Sequence, residues 1–250
     1  MINLKIISKL IRFFKSLLTN TQLSNHKFQN KNQVTNANII LNLLKNKNFS
    51  PYYIVDVGCG YGEWTKKLLN IFPMSNFYLY DADKNNSEKL NILKKKYENI
   101  NFKVCLLSDD CRTYNFYNMG YGSSIFEEQT SHSRNIEKIS STTLNQELPD
   151  ELKNQTNNLI KLDVQRSELK VLEGLKDAIN SFEVIILEVS IHNYNKDSPL
   201  FDKVMNYMSK NNYRLYDLFD LKRLGNNNSF LVQFDCMFVR NNSELFKVKF

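Results

Sequence analysis

The feature that most constrains this chain is a cluster of glycines. Three of the seven glycines among its 250 residues, Gly58, Gly60 and Gly62, stand within five positions. The preceding run Tyr52–Val57 is rich in β-branched residues and predicts a buried strand, and the residues from Gly62 to about Phe72 predict a helix. In a chain so poor in glycine, the cluster predicts a ligand that closely approaches the backbone. The alternative is a turn that needs glycine for its own geometry.

After this turn, strand-like runs alternate with helical patterns. The predicted strands are Phe77–Tyr80, Phe102–Leu107, Leu159–Leu162 and Val184–Leu187, followed by a hairpin of Tyr213–Leu218 and Phe230–Val239. Repeated strand–helix units form parallel sheets with helices on both faces, whereas a hairpin joins antiparallel strands. We therefore predict an α/β fold, with a Rossmann-like sheet that is mostly parallel and has an antiparallel last strand.

The sequence also predicts how the chain is divided. Residues 1–50 are expected to hold an amphipathic helix at 2–19, a polar linker at 20–32 and a second helix at Val34–Leu44. Residues 51–250 are expected to form the main domain. Within this domain, residues 110–150 break the strand–helix rhythm, and we predict that they form an insertion over the site.

The predicted helix at 2–19 is strongly amphipathic. Its Ile, Leu and Phe side chains share one side of a helical wheel, and Lys5, Lys9, Arg12 and Lys15 lie on the other. This pattern is typical of a helix on an anionic membrane surface, and the four charges argue against a membrane-spanning helix. The alternative is a helix that packs on its own domain or on a second subunit. We therefore expect a peripheral membrane contact or a subunit contact here.

Charge and cysteine content narrow the classes of partner and compartment. The formal net charge is +7, but residues 1–50 carry eight basic and no acidic side chains, so the remainder has a net charge of −1. A nucleic-acid partner needs clustered basic residues on the main domain and is therefore not expected. The four cysteines show no C-x-x-C spacing and predict reduced thiols, as in a cytoplasmic protein.

Polar side chains follow the predicted strands. They are Asp56, Asp81, Ser108, Asp109, Asp163 and Glu188. Ligands of open α/β sheets bind beyond the carboxyl ends of the strands. The G-x-G-x-G spacing differs from the G-x-G-x-x-G of dinucleotide-binding proteins, and it fits better the turn that binds S-adenosylmethionine (SAM) in Rossmann-like methyltransferases.

Two strand ends are expected to bind the nucleoside part of such a cofactor. Asp81, about 20 residues after the turn, is placed to accept hydrogen bonds from ribose hydroxyls. Ser108 or Asp109 is expected to accept from the adenine amino group. The alternative for each of these side chains is a helix N-cap, a position that Asp and Ser favour.

One stretch of the sequence resembles a known family. The run Lys161–Gly174 is similar to the K-x-D-v-x-G-x-E-x-x-v-L-x-G signature of FkbM-family methyltransferases. Further similarities follow in the family's order: Val55–Gly62 for the glycine turn, Thr142–Asn145 for T-L-D, Ile185–Ser190 for a strand ending in Glu, and Gln233–Val239 for the closing strand. Arg166 stands where the family usually has glycine, and Asn145 where it has aspartate. The predicted final hairpin is also typical of SAM-dependent methyltransferases rather than nicotinamide dehydrogenases.

The resemblance implies an activity and a cofactor. It implies O-methyl transfer from SAM to a hydroxyl of a sugar, a glycan or a similar small molecule. The residues predicted to bind the cofactor are Asp56, Gly58, Cys59, Gly60, Gly62, Asp81, Ser108 and Asp109.

Asp163, Glu188 and His192 are the candidates for the general base that removes the proton of the acceptor hydroxyl. The alternative for His192 is a histidine in a surface loop. The same three residues are an alternative ligand set for a divalent cation that acidifies the hydroxyl, although no metal-ligand spacing in the sequence commits to one. The departures at Arg166 and Asn145 motivate a second hypothesis, a non-catalytic binding module that keeps the SAM fold. A nicotinamide dehydrogenase ranks third.

Overall fold

The computed structural model describes residues 36–120, 122–127, 134–192 and 198–247. The predicted amphipathic helix at 2–19 and the linker at 20–32 lie outside these residues. Thr35–Lys247 form one compact unit. Among the described residues, no helix is long and apolar enough to cross a membrane.

The described elements alternate between strands and helices over most of the unit. The strands are β1 Tyr53–Val57, β2 Asn76–Asp81, β3 Ile100–Val104, β4 Leu106–Ser108, β5 Thr113–Asn118, β6 Asn135–Thr143, β7 Asn158–Leu162, β8 Phe182–Ser190, β9 Tyr213–Leu224 and β10 Phe230–Arg240. The α-helices are α1 Ala37–Asn46, α2 Glu63–Ile71, α3 Ser87–Lys96, α4 Leu144–Glu147, α5 Asp150–Lys153, α6 Glu168–Glu173 and α7 Phe201–Lys210.

Seven strands form the central sheet in the order β3-β2-β1-β7-β8-β10-β9. The pairs from β3 to β8 are parallel, and β10 lies between β8 and β9 and is antiparallel to both. This confirms the predicted α/β fold with a mostly parallel sheet and an antiparallel last strand. The strand order reverses between β1 and β7, which is where an open α/β sheet forms its ligand crevice.

Each face of the sheet carries its own apolar core. Along β1, Val55 and Val57 belong to one buried cluster and Ile54 to the other, as the alternation of a strand between two covered faces requires. The strands β7 and β8 are buried almost throughout, so their apolar runs hold the centre of the sheet fixed. The strand ends that carry polar side chains therefore extend from a rigid support.

The helix α1 belongs to the compact unit rather than to a separate N-terminal segment. The helix buries four side chains in the apolar cluster that also contains Ile54, and they are Ala37, Ile40, Leu41 and Leu44. The compact unit that contains this helix is Thr35–Lys247, whereas the sequence pattern predicted the helix as part of the N-terminal segment 1–50. The burial of these four apolar side chains is the physical reason.

The predicted third strand, Phe102–Leu107, is divided in the structure. It stops at Val104, and the backbone N–H of Cys105 donates to the carbonyl of Asp81 (2.8 Å). The chain then leaves the central sheet, and β4 pairs with β6 in a second sheet of order β4-β6-β5. Much of the predicted 110–150 insertion is therefore a small sheet of its own.

Candidate active site

A cavity of about 520 Å³ lies at the carboxyl ends of the central strands. This volume is in the range of small-molecule and cofactor sites. Its walls come from the turn after β1, the end of β2, the β3–β4 connection, the end of β7 and the β9–β10 hairpin. The cavity therefore lies at the edge of the sheet where the sequence predicted a ligand.

The glycine turn forms one wall of this cavity. Gly58, Gly60 and Gly62 all have positive φ angles, of 73°, 53° and 74°, a region that side-chain-bearing residues rarely adopt. At Gly58 an added Cβ would overlap the carbonyl oxygen of Asp163, whereas at Gly60 it would meet no atom within 4 Å. Gly58 is thus required for the packing of β1 against the loop after β7, and Gly60 leaves its space to the cavity.

Asp81 connects the turn to the end of β2. Its Oδ2 accepts from the N–H of Gly60 (2.7 Å), and its Oδ1 accepts from the N–H of Asp83 (2.8 Å) and from Asn86 Nδ2 (3.0 Å). Burial raises the pKa of Asp81 above its ordinary value, although these hydrogen bonds favour the carboxylate. The carboxyl group lines the cavity and is held in one orientation by the backbone it binds.

Among the described residues, two buried polar atoms beside the cavity have no protein partner. They are Asp56 Oδ1 and Trp64 Nε1, and both residues line the cavity. The other oxygen of Asp56 accepts from the hydroxyl of Thr65 (2.6 Å), and burial raises the pKa of this fully buried carboxyl group. Buried polar atoms without partners are costly, so these two atoms are suited to a polar ligand.

A second group of polar side chains lies at the ends of β7 and β8. Lys161 is buried and its Nζ donates to Asp163 Oδ2 (2.9 Å). Burial favours a neutral Asp163, but the ammonium group of Lys161 outweighs it and lowers the pKa of Asp163. The same pairing raises the pKa of Lys161 despite its burial, so both groups are charged near neutral pH.

Glu188 lies beside this pair and is bound by three side chains. Its Oε1 accepts from Lys222 Nζ (2.6 Å) and Gln233 Nε2 (2.6 Å), and its Oε2 accepts from Gln165 Nε2 (3.1 Å). Gln165 Nε2 also donates to Asp163 Oδ1 (3.0 Å) and therefore joins the two carboxylates. Burial, and then the charge of Asp163, raise the pKa of Glu188.

The loop between β7 and α6 holds Gln165 in place. Gln165 and Arg166 both have positive φ angles, of 51° and 82°, and Glu168 Oε1 accepts from the N–H groups of Val164 (2.9 Å) and Arg166 (3.2 Å). The positive φ explains why glycine suits position 166 in the related signature. In this chain Arg166 instead donates from Nη1 to the carbonyl of His192 (2.8 Å).

The segment predicted as an insertion contributes residues to the cavity wall. Phe116 on β5 and residues 122–125 line it, and Ser124 Oγ donates to the carbonyl of Gln165 (2.7 Å). The loop after β7 is therefore held by two side chains, Glu168 of α6 and Ser124 of the insertion.

The structure brings some of the predicted site residues together and leaves others apart. Those that line the cavity are Asp56, Gly58, Cys59, Gly60, Asp81 and Asp163. Gly62 does not line it. A Cβ there would lie 2.6 Å from Leu93 Cδ2, so this glycine allows α2 to pack on α3. Glu188 reaches the cavity through Gln165, Lys222 and Gln233, which do line it.

Ser108, Asp109 and His192 are not among the described residues that line the cavity. Ser108 is fully buried and bonds to Asp109 and to Tyr114, while Lys170 Nζ lies 3.2 Å from Asp109. The Cys105–Leu107 stretch lines the cavity in their place. His192 is exposed and is connected to the site through its carbonyl and Arg166.

Several residues of the cavity wall are not among the predicted site residues, and four of them are Trp64, Gln165, Lys222 and Gln233. Gln165 lies in the motif Lys161–Gly174 and Gln233 in the motif Gln233–Val239. These positions were the available sequence signal. Lys222 gave none, because the predicted strand ended at Leu218 whereas β9 continues to Leu224. Among the described residues, no three His, Cys, Asp or Glu side chains come together as a metal site.

Comparisons with known proteins give one family model and several similar structures. The family model described as the methyltransferase FkbM domain matches residues 26–215. No curated protein matches the sequence. A methyltransferase FkbM from Methylobacillus flagellatus is similar in structure, with 16% identity over 76% of this chain and a TM-score of 0.48. This chain spans 43% of that protein's length.

A SAM-dependent methyltransferase from Clostridium acetobutylicum is also similar, with 10% identity, 81% of this chain and 89% of that one covered, and a TM-score of 0.46. At such identities and scores these structural likenesses add no argument about activity.

Proposed function

The chain belongs to the FkbM family of SAM-dependent methyltransferases, and from that premise we propose that it transfers a methyl group to a hydroxyl of a sugar or glycan. The observation that carries this proposal is the joined carboxylate pair of Asp163 and Glu188 beside the glycine turn. A hydroxyl acceptor must lose its proton as it is methylated, and a fixed carboxylate is suited to take it.

The residues that line the cavity fit SAM. The open space at Gly60 leaves room for a ligand against the backbone, and the carboxylate of Asp81 suits ribose hydroxyls. The unpartnered Asp56 Oδ1 and Trp64 Nε1 suit polar atoms of the amino-acid part. The Cys105–Leu107 stretch is the expected contact of the adenine, in place of Ser108 and Asp109. When bound, SAM supplies an electrophilic methyl group on a sulfonium.

We assign the proton transfer to Asp163, which lines the cavity and is ionised near neutral pH because of Lys161. With SAM bound, the acceptor oxygen would take the methyl group as its O–H bond breaks, and S-adenosylhomocysteine would leave. The proton passes to Asp163. Lys161 and Gln165 hold that carboxylate in position, so much of the rate enhancement comes from orientation.

The acceptor is expected to be polar and hydroxylated. The cavity wall presents Lys222 and Gln233, which each keep a donor hydrogen beyond the one given to Glu188 and so suit hydroxyl oxygens. We further propose that residues 2–19 hold the protein at an anionic membrane surface or a subunit surface. Co-sedimentation of the full chain and of a chain lacking residues 1–20 with liposomes tests this, and equal partitioning would contradict the membrane contact.

The enzymatic test uses SAM with a methyl label and a panel of sugars and glycan extracts. Wild-type protein is expected to label an acceptor, and Asp163→Asn to reduce kcat by about 10²-fold or more. Asp109→Asn is the matched control, because it changes a strand-end aspartate that does not line the cavity. Binding of S-adenosylhomocysteine without transfer to any acceptor would instead indicate a non-catalytic binding module.

A further inference from the structure

The β9–β10 hairpin extends beyond the carboxyl edge of the sheet. The strand β8 ends at Ser190, which pairs with Gln233, but β9 and β10 continue to the pair Leu224–Phe230. All ten residues from 221 to 230 are exposed, and we call this segment the hairpin tip. Leu224 lies two residues beyond Lys222, or about 7 Å at the rise of a strand. The tip therefore projects from the mouth of the cavity.

Exposed apolar side chains concentrate on this hairpin. Ten large apolar side chains are exposed among the described residues, and four of them are Leu218, Leu221, Leu224 and Phe230. A fifth, Ile191, is adjacent, since its N–H donates to the carbonyl of Val232 (3.1 Å). Scattered exposed leucines are ordinary, but a contiguous group on a projecting element marks a protein or membrane contact.

The register places the apolar side chains relative to the site. Residues directly opposite in an antiparallel pair share a face, so Leu224 and Phe230 lie together, and they are 56% and 60% exposed. Lys222 pairs with Gln233, and both donate to Glu188. Arg223 pairs with Leu231 one step along the strand, so its side chain points to the opposite face.

The charge and the apex of the tip indicate the kind of surface it fits. Lys222 and Arg223 are the only charged residues between Leu221 and Phe234. The apex is Asn226–Asn228 and Ser229, which are polar but uncharged. Lys222 is paired with Glu188, which leaves Arg223 as the cation of the tip. A projecting pair of apolar side chains with a cation on the neighbouring face and a polar apex matches the headgroup region of an anionic bilayer, where amides remain hydrated.

We infer that the hairpin tip, residues 221–230, is a contact site for an anionic lipid surface that places the mouth of the cavity against the membrane. This contact is separate from the helix predicted at 2–19 and requires neither cofactor nor acceptor. It goes beyond the proposed function, because binding to lipid is measured whether or not methyl transfer occurs.

The test measures co-sedimentation of the full chain with vesicles of phosphatidylcholine, with and without phosphatidylglycerol. Leu224→Ser combined with Phe230→Ser is expected to weaken binding to the anionic vesicles by about tenfold or more. The matched control, Met74→Ser with Ile136→Ser, removes two exposed apolar side chains elsewhere and is expected to bind as the wild type does. Arg223→Ser is expected to weaken binding about fivefold on anionic vesicles only.

A second measurement reports on the tip itself. An environment-sensitive dye on Asn226→Cys, in a Cys111→Ser background that removes the exposed native thiol, is expected to shift its emission to the blue when anionic vesicles are added. Unchanged emission, or equal binding of the tip variant and its control, would overturn the inference. So would sedimentation velocity in lipid-free buffer showing a dimer that Leu224→Ser with Phe230→Ser dissociates, since a second copy would then cover the tip.

Discussion

The backbone N–H of Gly60 donates a 2.7 Å hydrogen bond to the carboxylate of Asp81. This bond joins the turn after β1 to the end of β2, the two elements that a nucleoside cofactor spans in folds of this kind. It also leaves Asp81 oriented toward the cavity before any ligand arrives. The proposed cofactor site is consequently preorganised, and we expect no loss of binding energy to the ordering of these groups.

Two glycines of the turn are expected to respond differently to the same substitution. Gly58→Ala should lower the free energy of unfolding by about 3 kcal/mol or more, because the added Cβ overlaps the Asp163 carbonyl at a positive φ. Gly60→Ala should cost about 1–2 kcal/mol, since only the backbone conformation is unfavourable there. Urea unfolding measures both, and equal losses would show that the close approach at Gly58 is relieved by a local shift.

Arg166 is expected to carry backbone strain. Its φ of 82° favours glycine, while its guanidinium binds the His192 carbonyl. Both Arg166→Gly and Arg166→Ala remove this bond, but only glycine relieves the left-handed conformation. The glycine variant should therefore be more stable than the alanine variant by about 1 kcal/mol. Chemical unfolding of the two variants side by side checks this, and an alanine variant as stable as the glycine one would argue against strain.

Glu168 is expected to make stability depend on pH. Burial raises its pKa to about 8, so the folded state keeps a proton that the unfolded chain releases above its ordinary pKa. The wild type should therefore lose stability as pH rises from about 5 to 8. Glu168→Gln keeps an acceptor for the Val164 and Arg166 N–H groups and should not show this loss. If the free energies of unfolding of the two proteins fall by the same amount across that pH range, the assignment to Glu168 is wrong.

Asp109 should have the opposite effect on how stability changes with pH. Burial acts against ionisation, but hydrogen bonds from Ser108, Tyr114 and Lys170 outweigh it and lower the pKa to about 2. A depressed carboxyl pKa contributes stability that is present above about pH 4 and is lost as pH falls toward 2. Asp109→Asn should flatten the acid limb of the stability profile, which is the loss of unfolding free energy as pH falls from 5 to 2. Urea unfolding at pH values from 2 to 5 measures this loss. An unchanged acid limb would mean that the three hydrogen bonds do not hold the carboxylate.

The sequence supported the prediction of most of the sheet and of one side of the site. The β-branched run before Gly58 and the polar residue after each strand are local signals, and they located Asp56, Asp81 and Asp163 at one edge. The hairpin pattern also predicted the antiparallel last strand, which the structure confirms as β10. These features depend on short-range patterns that each strand and turn must satisfy by itself.

Other features depend on contacts between distant segments. The helix α6 ends at Glu173, and Gly174 after it lies so close to the carbonyl of Ser108 that an added Cβ would overlap this oxygen. The break at Cys105 arises because β4 pairs with β6, far along the chain. The same connection draws Ser108 and Asp109 away from the cavity, which no pattern near those residues indicates.

The central claim, that the cavity binds SAM through the glycine turn and Asp81, is tested most directly by calorimetric titration with S-adenosylhomocysteine. Wild-type protein should bind one equivalent. Asp81→Asn should lose about tenfold or more in affinity, because a neutral amide replaces a charged acceptor for hydroxyl groups. Asp109→Asn should bind as the wild type does. Absence of binding by the wild type, or a loss at Asp109 with none at Asp81, would contradict the account.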